Sequence, residues 1–193
     1  IGDGQPRVCR PHFVYHGFRY FEVEGTARDV TVEVVHAAVK KAALFQSDNQ
    51  TLNWLFDAYI RTQLGNMHTG VPSDCPHRER LGYTGDGQLT AESAMLLLDS
   101  RAFYEKWIGD ILDCQNPDTG HVQHTAPFMG GGGGPGGWGS AIVSVPYAYH
   151  RLFDDLALLS HCYPSMRKWV DYMRSRSENG LVVREEEGGW CLG

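Results

Sequence analysis

Sixteen residues, Ser73 to Gln88 (SDCPHRERLGYTGDGQ), gather three carboxylates, two arginines, a histidine and three glycines between two apolar stretches. Asp74, Glu79 and Asp86 are the acids, and Arg78 and Arg80 the guanidinium groups. Groups packed this densely shift one another's proton affinity. An arginine favours an ionised carboxylate, whereas burial or a second carboxylate keeps a proton on. Cleaving a glycosidic bond uses that division: one carboxyl gives its proton to the leaving oxygen, and others stay ionised to hold hydroxyls. The same side chains also suit sugar binding without catalysis, or a solvated salt-bridge loop. Asp86 has a further structural role open to it, as a cap at the start of the following helix.

A metal reading draws on His68, Asp74, Cys75 and His77, with His121 and His124 further on. No H-E-x-x-H motif and no Cys/His pairing at zinc spacing accompanies them, so no metal site is assigned. The five cysteines are scattered without a C-x-x-C pair, which fits reduced structural thiols. The run GGGGGPGGWG, residues 130–139, lacks the phosphate-loop pattern. Trp138 at its end reads either as a stacking platform for a sugar face or as a core residue. Trp190, in a second glycine-rich stretch, carries the same two readings.

The elements around these residues divide into two kinds. Residues 12–41 read as β-structure, with strands expected at 18–23 and 30–39, where β-branched and aromatic residues concentrate. From Phe45 the apolar period becomes helical. A helix is expected over 49–66, opened by a Ser47/Gln50 capping box. Further helices are expected over 87–98, 100–114 and 141–153, and then over a run from Leu159 to Met173 that Pro164 kinks or restarts. Residues 178–190 read as a short hairpin. Pro72, Pro76, Gly82 and Gly85 put the polar knot on a loop. Long polar connections alternate with short ones, the pattern of helical hairpins whose functional loops collect at one end.

The chain has 193 residues, 42% of them hydrophobic and 21% charged, within the globular range. A formal charge of −6 gives no reason to expect nucleic acid, and no apolar run is long enough to span a membrane. The first residue is Ile1, so any leader is expected upstream.

YHGFRYFEVEG, SDCPHRERLGYTGDGQ, PGGWGSAIVSVPY and GGWCLG, in that order, resemble the bacterial α-L-rhamnosidases. The likeness runs from about Phe13 to Gly193. It implies a mainly α fold: part of an (α/α)6 six-hairpin barrel over 45–193, preceded over 1–44 by strands from the end of a β-sandwich. It implies removal of terminal α-L-rhamnose from an oligosaccharide or glycoside with inversion, and calls for no cofactor. Glu79 matches the general acid. Asp74, Arg78 and Asp86 match residues that bind rhamnose hydroxyls. Tyr83 falls where many relatives carry tryptophan, and Trp138 and Trp190 match tryptophans lining the sugar pocket. The expected general base has no candidate, since Glu185, Glu186 and Glu187 read as a solvated hairpin edge. About five helices stand where twelve are needed. The chain is therefore expected to be a fragment that is inactive alone and prone to self-association through exposed barrel faces. The alternative is a carbohydrate-binding relative without catalysis.

Overall fold

The computed structural model describes residues 4–130 and 137–184. It is mainly helical, with α1 at Gln50–Gly65, α2 at Thr84–Leu97, α3 at Arg101–Asp113, α4 at Ala141–Phe153 and α5 at Leu156–Ser175. A 3-10 turn, Trp138–Ser140, leads into α4. Two short hairpins complete the set: β1 (Met67–His68) with β2 (Val71–Pro72), and β3 (Ser177–Glu178) with β4 (Leu181–Val182).

The segments 18–23 and 30–39 form no strand here, against the expectation from their composition. Composition supplies a preference, but a strand is stable only where another strand takes up its backbone hydrogen bonds. Among the described residues no strand pairs with either segment, and Tyr20 and Val34 are each 89% exposed. The last part of this region does dock on the helices: Ala37 donates to Met67, Ala42 to Leu97, and Asp99 to Lys40.

Helix boundaries follow the apolar periodicity closely, with three corrections. At α1 the cap is Asn49, not a Ser47/Gln50 box: its side chain accepts from Thr51 and Leu52. Ser47 works one step back, its hydroxyl accepting from Asn49 N–H and its backbone exchanging hydrogen bonds with the Asn53 amide. Helix α2 begins three residues earlier than its apolar stripe, at Thr84, so Gly85 lies inside it and Asp86 in its first turn. Helix α5 runs through Pro164 without interruption. The carbonyl that Pro164 cannot serve belongs to Ser160, an exposed residue whose carbonyl water can reach.

The core lies where α4 packs against α2, α3 and α5. Trp107, Tyr104 and Ile108 of α3 and Ile142, Val145 and Tyr149 of α4 are fully enclosed. The β3–β4 hairpin at the end of α5 occupies the start of the hairpin expected over 178–190, of which residues 185–190 lie outside the described residues. Asn179 and Gly180 both take positive φ (52° and 81°), as a two-residue type I′ turn requires. Thr69 and Gly70 (52° and 79°) do the same for β1–β2, a hairpin inside what the sequence suggests is a plain loop.

Candidate active site

The β1–β2 hairpin delivers the chain into the polar knot, and α2 takes it out. Ser73 is pinned at the entry, its N–H donating to Asn66 O at 2.7 Å and its hydroxyl to Asn66 Oδ1 at 3.1 Å. At the exit, Thr84 N–H and hydroxyl both donate to His124 O (2.9 and 3.1 Å), and Tyr83 pairs with Thr125 as an isolated bridge. These bonds to the second long loop explain why α2 starts at Thr84: its first turn is held from outside.

Between these anchors the carboxylates converge. Arg78 forks Glu79, with Nε donating to Oε2 at 2.9 Å and Nη2 lying 2.8 Å from Oε1. The Cys75 thiol stands between Asp74 and Glu79, with Sγ 2.6 Å from Asp74 Oδ2 and 2.9 Å from Glu79 Oε2. Asp74 Oδ1 is buried without a hydrogen-bond partner. Arg80, at φ 58°, turns the other way, donating to Tyr15 O at 2.9 Å and lying over the Tyr15 ring. Tyr15 in turn stacks on His68 at 3.8 Å between centroids, so the N-terminal stretch fixes one side of the loop.

The electrostatics are uneven. Glu79 is held well below the usual carboxylate range, at about 2, first by the Arg78 hydrogen bonds and then by the thiol. Asp86, exposed as a residue, moves the opposite way: partial desolvation of its carboxyl at the start of α2 raises its pKa, and the Asp74 and Glu79 charges add to the rise. The Cys75 thiol is pushed up to about 11, by desolvation first and then by its bonds to Asp74 and Glu79. Tyr83 is raised by burial, and then by the charges of Glu79, Asp74, Cys75 and Asp86, all of which face it.

The donor atoms of Asp74, Cys75 and Glu79 lie within 4.8 Å of one another, close enough on distance alone to hold a cation. Their chemistry here is that of a hydrogen-bonded cluster. The thiol lies on both carboxylates, and Arg78 covers Glu79.

The aromatic wall comes from the second loop. Trp138 is half-buried and meets Tyr83 edge to face, with centroids 5.6 Å apart. Gln88 holds that turn from α2: Nε2 donates to Gly137 O (3.0 Å), and Oε1 accepts from the Ser144 hydroxyl (2.9 Å). A Cβ on Gly85 would stand 2.6 Å from the Trp138 ring, so the indole seats against bare backbone.

Asp74, Arg78, Glu79, Tyr83, Asp86 and Trp138 are thus brought to one region. Trp190 lies outside the described residues. Sequence reasoning grouped Cys75 with Asp74 only as a metal candidate and missed its place between Asp74 and Glu79, because spacing on a loop fixes no geometry. It also missed Gln88 as the strap under Trp138. That residue sits one helical turn beyond Gly85, a spacing that could have singled it out once α2 was started at Thr84.

The helices and their long loops thus gather three acids, a guanidinium group and two aromatic rings at one place. Residues 40–192 match the bacterial α-L-rhamnosidase six-hairpin glycosidase domain, and residues 1–41 the concanavalin-like domain of bacterial α-L-rhamnosidases. The chain belongs to the bacterial α-L-rhamnosidase family.

A curated α-L-rhamnosidase of Streptomyces avermitilis is 36% identical over 98% of this chain and 19% of its own length. The crystal structure of that organism's α-L-rhamnosidase complexed with L-rhamnose superposes with a TM-score of 0.68 at 32% identity, covering 74% of this chain and 14% of that one. The α-L-rhamnosidase from Dictyoglumus thermophilum gives 0.72 at 29% identity, covering 82% and 18%. The chain spans about a fifth of the length of the curated relatives it matches.

Proposed function

We propose that this chain carries the proton-donor side of an enzyme that removes terminal α-L-rhamnose from rhamnosides with inversion. Residues 1–44 are assigned to the end of a β-sandwich and 45–193 to the first part of the catalytic barrel. Glu79 is the general acid. Asp74, Arg78 and Asp86 bind sugar hydroxyls, Tyr83 and Trp138 wall the ring, and the family resemblance assigns Trp190 to sugar binding as well. The general base, a carboxylate on the opposite sugar face with water between, is supplied from elsewhere in the full-length protein.

The observation that carries this reading is the convergence of Glu79 with Asp74, Arg78 and Asp86 beside the Tyr83–Trp138 pair. It also sets a condition. With Arg78 forked onto it, Glu79 is ionised at neutral pH and has no proton to give. The proposal therefore requires Arg78 to turn to the hydroxyls of the bound sugar. The Glu79 carboxyl, covered by the sugar, then gains proton affinity from lost hydration and from the Asp74 and Asp86 charges beside it.

A second reading rests on that same fork: an ionised, arginine-held carboxylate is a good hydroxyl acceptor, which suits a rhamnose-binding protein without turnover. Glu79→Gln in the full-length protein separates the two. The hydrolase reading expects turnover of an alkyl α-L-rhamnoside, whose leaving oxygen needs the proton, to fall at least about a hundredfold, and that of p-nitrophenyl α-L-rhamnoside, whose leaving group departs without it, to fall less. Alkyl rhamnoside turnover unchanged by Glu79→Gln rules out Glu79 as the acid. A full-length protein that binds L-rhamnose without cleaving the aryl rhamnoside favours the binding reading. The 193-residue chain alone is expected to release no rhamnose and to self-associate through exposed helix faces that include Trp54 (63% exposed) and Leu89 (84%).

A further inference from the structure

Cys75 has a place in this cluster that the division into acid, base and sugar-binding residues leaves unused. Its sulfur touches Asp74 Oδ2 and Glu79 Oε2 at once, at 2.6 and 2.9 Å. Two ionised carboxylates this near repel each other, and one S–H between them relieves the repulsion for whichever oxygen it points at. A thiol is both a donor and an acceptor, which neither arginine nor a backbone amide can be.

We propose that Cys75 is a positioning residue: its thiol, set between the Asp74 and Glu79 carboxyls, holds Glu79 in one orientation in both of its protonation states. When Glu79 is ionised, S–H donates to Oε2. When Glu79 carries its proton, the carboxyl O–H donates to sulfur and S–H turns to Asp74. No proton leaves the thiol in either state, and the change is a rotation about the Cβ–Sγ bond. The high proton affinity that desolvation and the two carboxylates give the thiol accords with this.

The inference rests on Glu79 being the acid, and it explains how that residue stays aimed once Arg78 releases it for the sugar. Among the described residues, the charged and titratable groups facing Glu79 are Asp74, Cys75 and Arg78 on its own loop and Tyr83 and Asp86 at the start of α2, with Tyr15 and Arg80 beyond Asp74.

The test uses the full-length protein and two measurements. In the first, the pH dependence of kcat on an alkyl α-L-rhamnoside is followed for Cys75→Ala and Cys75→Ser. Loss of a donor to the ionised carboxylate raises the proton affinity of Glu79. Since the acid works protonated, the alkaline limb moves up, by about half to one pH unit for a weak thiol donor. Cys75→Ser, which keeps a donor and acceptor, returns the limb to the parental position or below. A Cys75→Ala variant whose kcat falls with the limb unmoved overturns the proposal.

The second measurement needs neither turnover nor a folded alanine variant. The rate at which iodoacetamide alkylates Cys75 is read at pH 8 from the Cys75 peptide, in the parent and in Glu79→Gln. Removing one carboxylate from the sulfur lowers the thiol pKa, so alkylation is expected to accelerate several-fold. An unchanged rate overturns the contact itself. Glu79→Gln that retains full turnover defeats the reading of Glu79 as acid, which is a separate result from an unmoved limb or an unchanged alkylation rate.

Discussion

Arg78 grips its own sequence neighbour Glu79 through two of its nitrogens, at 2.9 and 2.8 Å, and so lowers the proton affinity of that carboxylate. Both side chains reach solvent, so the fork adds little to stability, but it holds the carboxyl at about 2. Arg78→Gln removes the largest of its side-chain stabilisers. The Glu79 pKa is expected to rise from about 2 toward the ordinary glutamate value of about 4.3. A carbon-13 NMR titration of the glutamate carboxyls reads this directly. If Arg78 also binds the sugar, KM for an aryl rhamnoside rises roughly tenfold in the same variant, the size of one lost charge-assisted hydrogen bond. A Glu79 titration that stays near its parental midpoint would show that another group holds the carboxylate.

The site depends on a core indole that never touches it. Trp107 is fully buried, and its Nε1 donates to Ala126 O at 3.0 Å, which ties α3 to the loop carrying His124 and Thr125. Its ring also lies against Gly87, where an added Cβ would stand 2.2 Å from Cη2. Trp107→Phe keeps most of the volume but leaves the Ala126 carbonyl without its donor, and is expected to cost about 1–3 kcal/mol. Trp107→Ala adds a cavity and is expected to cost about 3–5 kcal/mol. Urea denaturation of the full-length protein orders the two variants.

Gly85 tests whether the tryptophan wall is set by backbone. Its missing Cβ is the space that the Trp138 ring occupies, and the strap from Gln88 to Gly137 O leaves that ring little room to retreat. Gly85→Ala gains helix propensity in α2 yet forces the indole aside, for a net loss of about 1–3 kcal/mol at most. The informative readout is kinetic. KM for an alkyl rhamnoside is expected to rise several-fold in Gly85→Ala while the Glu79-dependent alkaline limb of kcat stays in place. Parental KM in a folded variant would mean that Trp138 does not form the sugar wall.

Much of this architecture is legible before any coordinates. The helical stripes mark α1, α3 and α4 to within about a residue, because each buries a continuous apolar face. Helix α2 is the exception that matters. Its first turn, Thr84–Gly87, has no apolar stripe and two glycines, and its bonds reach to His124, forty residues away. Periodicity cannot register a helix start imposed by another loop. The strands expected at 18–23 and 30–39 fail for a related reason, since propensity is local and pairing is not. Within the site, residue types identified Asp74, Glu79 and Asp86 as a group. The short sequence distances could not tell that Arg78 would lie on Glu79, or that Cys75 would sit between two acids. Those are facts of side-chain direction on a loop that turns at Arg80.

Asp86 supplies the clearest pH signature. Its pKa is raised, chiefly by desolvation and further by the Asp74 and Glu79 charges, despite its place in the first turn of α2, where the helix dipole favours an anion. A carboxyl with a higher pKa folded than unfolded contributes most to stability below the unfolded value, near 3.8. That contribution is lost as pH rises through the folded value. At neutral pH the ionised Asp86 therefore strains the folded state, and Asp86→Asn relieves it. The expected gain is small because the residue is largely exposed, up to about 0.5 kcal/mol at pH 7, and it vanishes near pH 3. Glu79 has the opposite sign, stabilising above about 4.5 and losing that effect toward about 2, and its coupling to Asp86 makes the relief of Glu79 part of the Asp86→Asn difference. Thermal melts of parent and Asp86→Asn across pH 3–8 read that difference. A variant less stable at pH 7 would mean that the helix dipole outweighs the two neighbouring acids, and that Asp86 belongs to the helix before it belongs to the site.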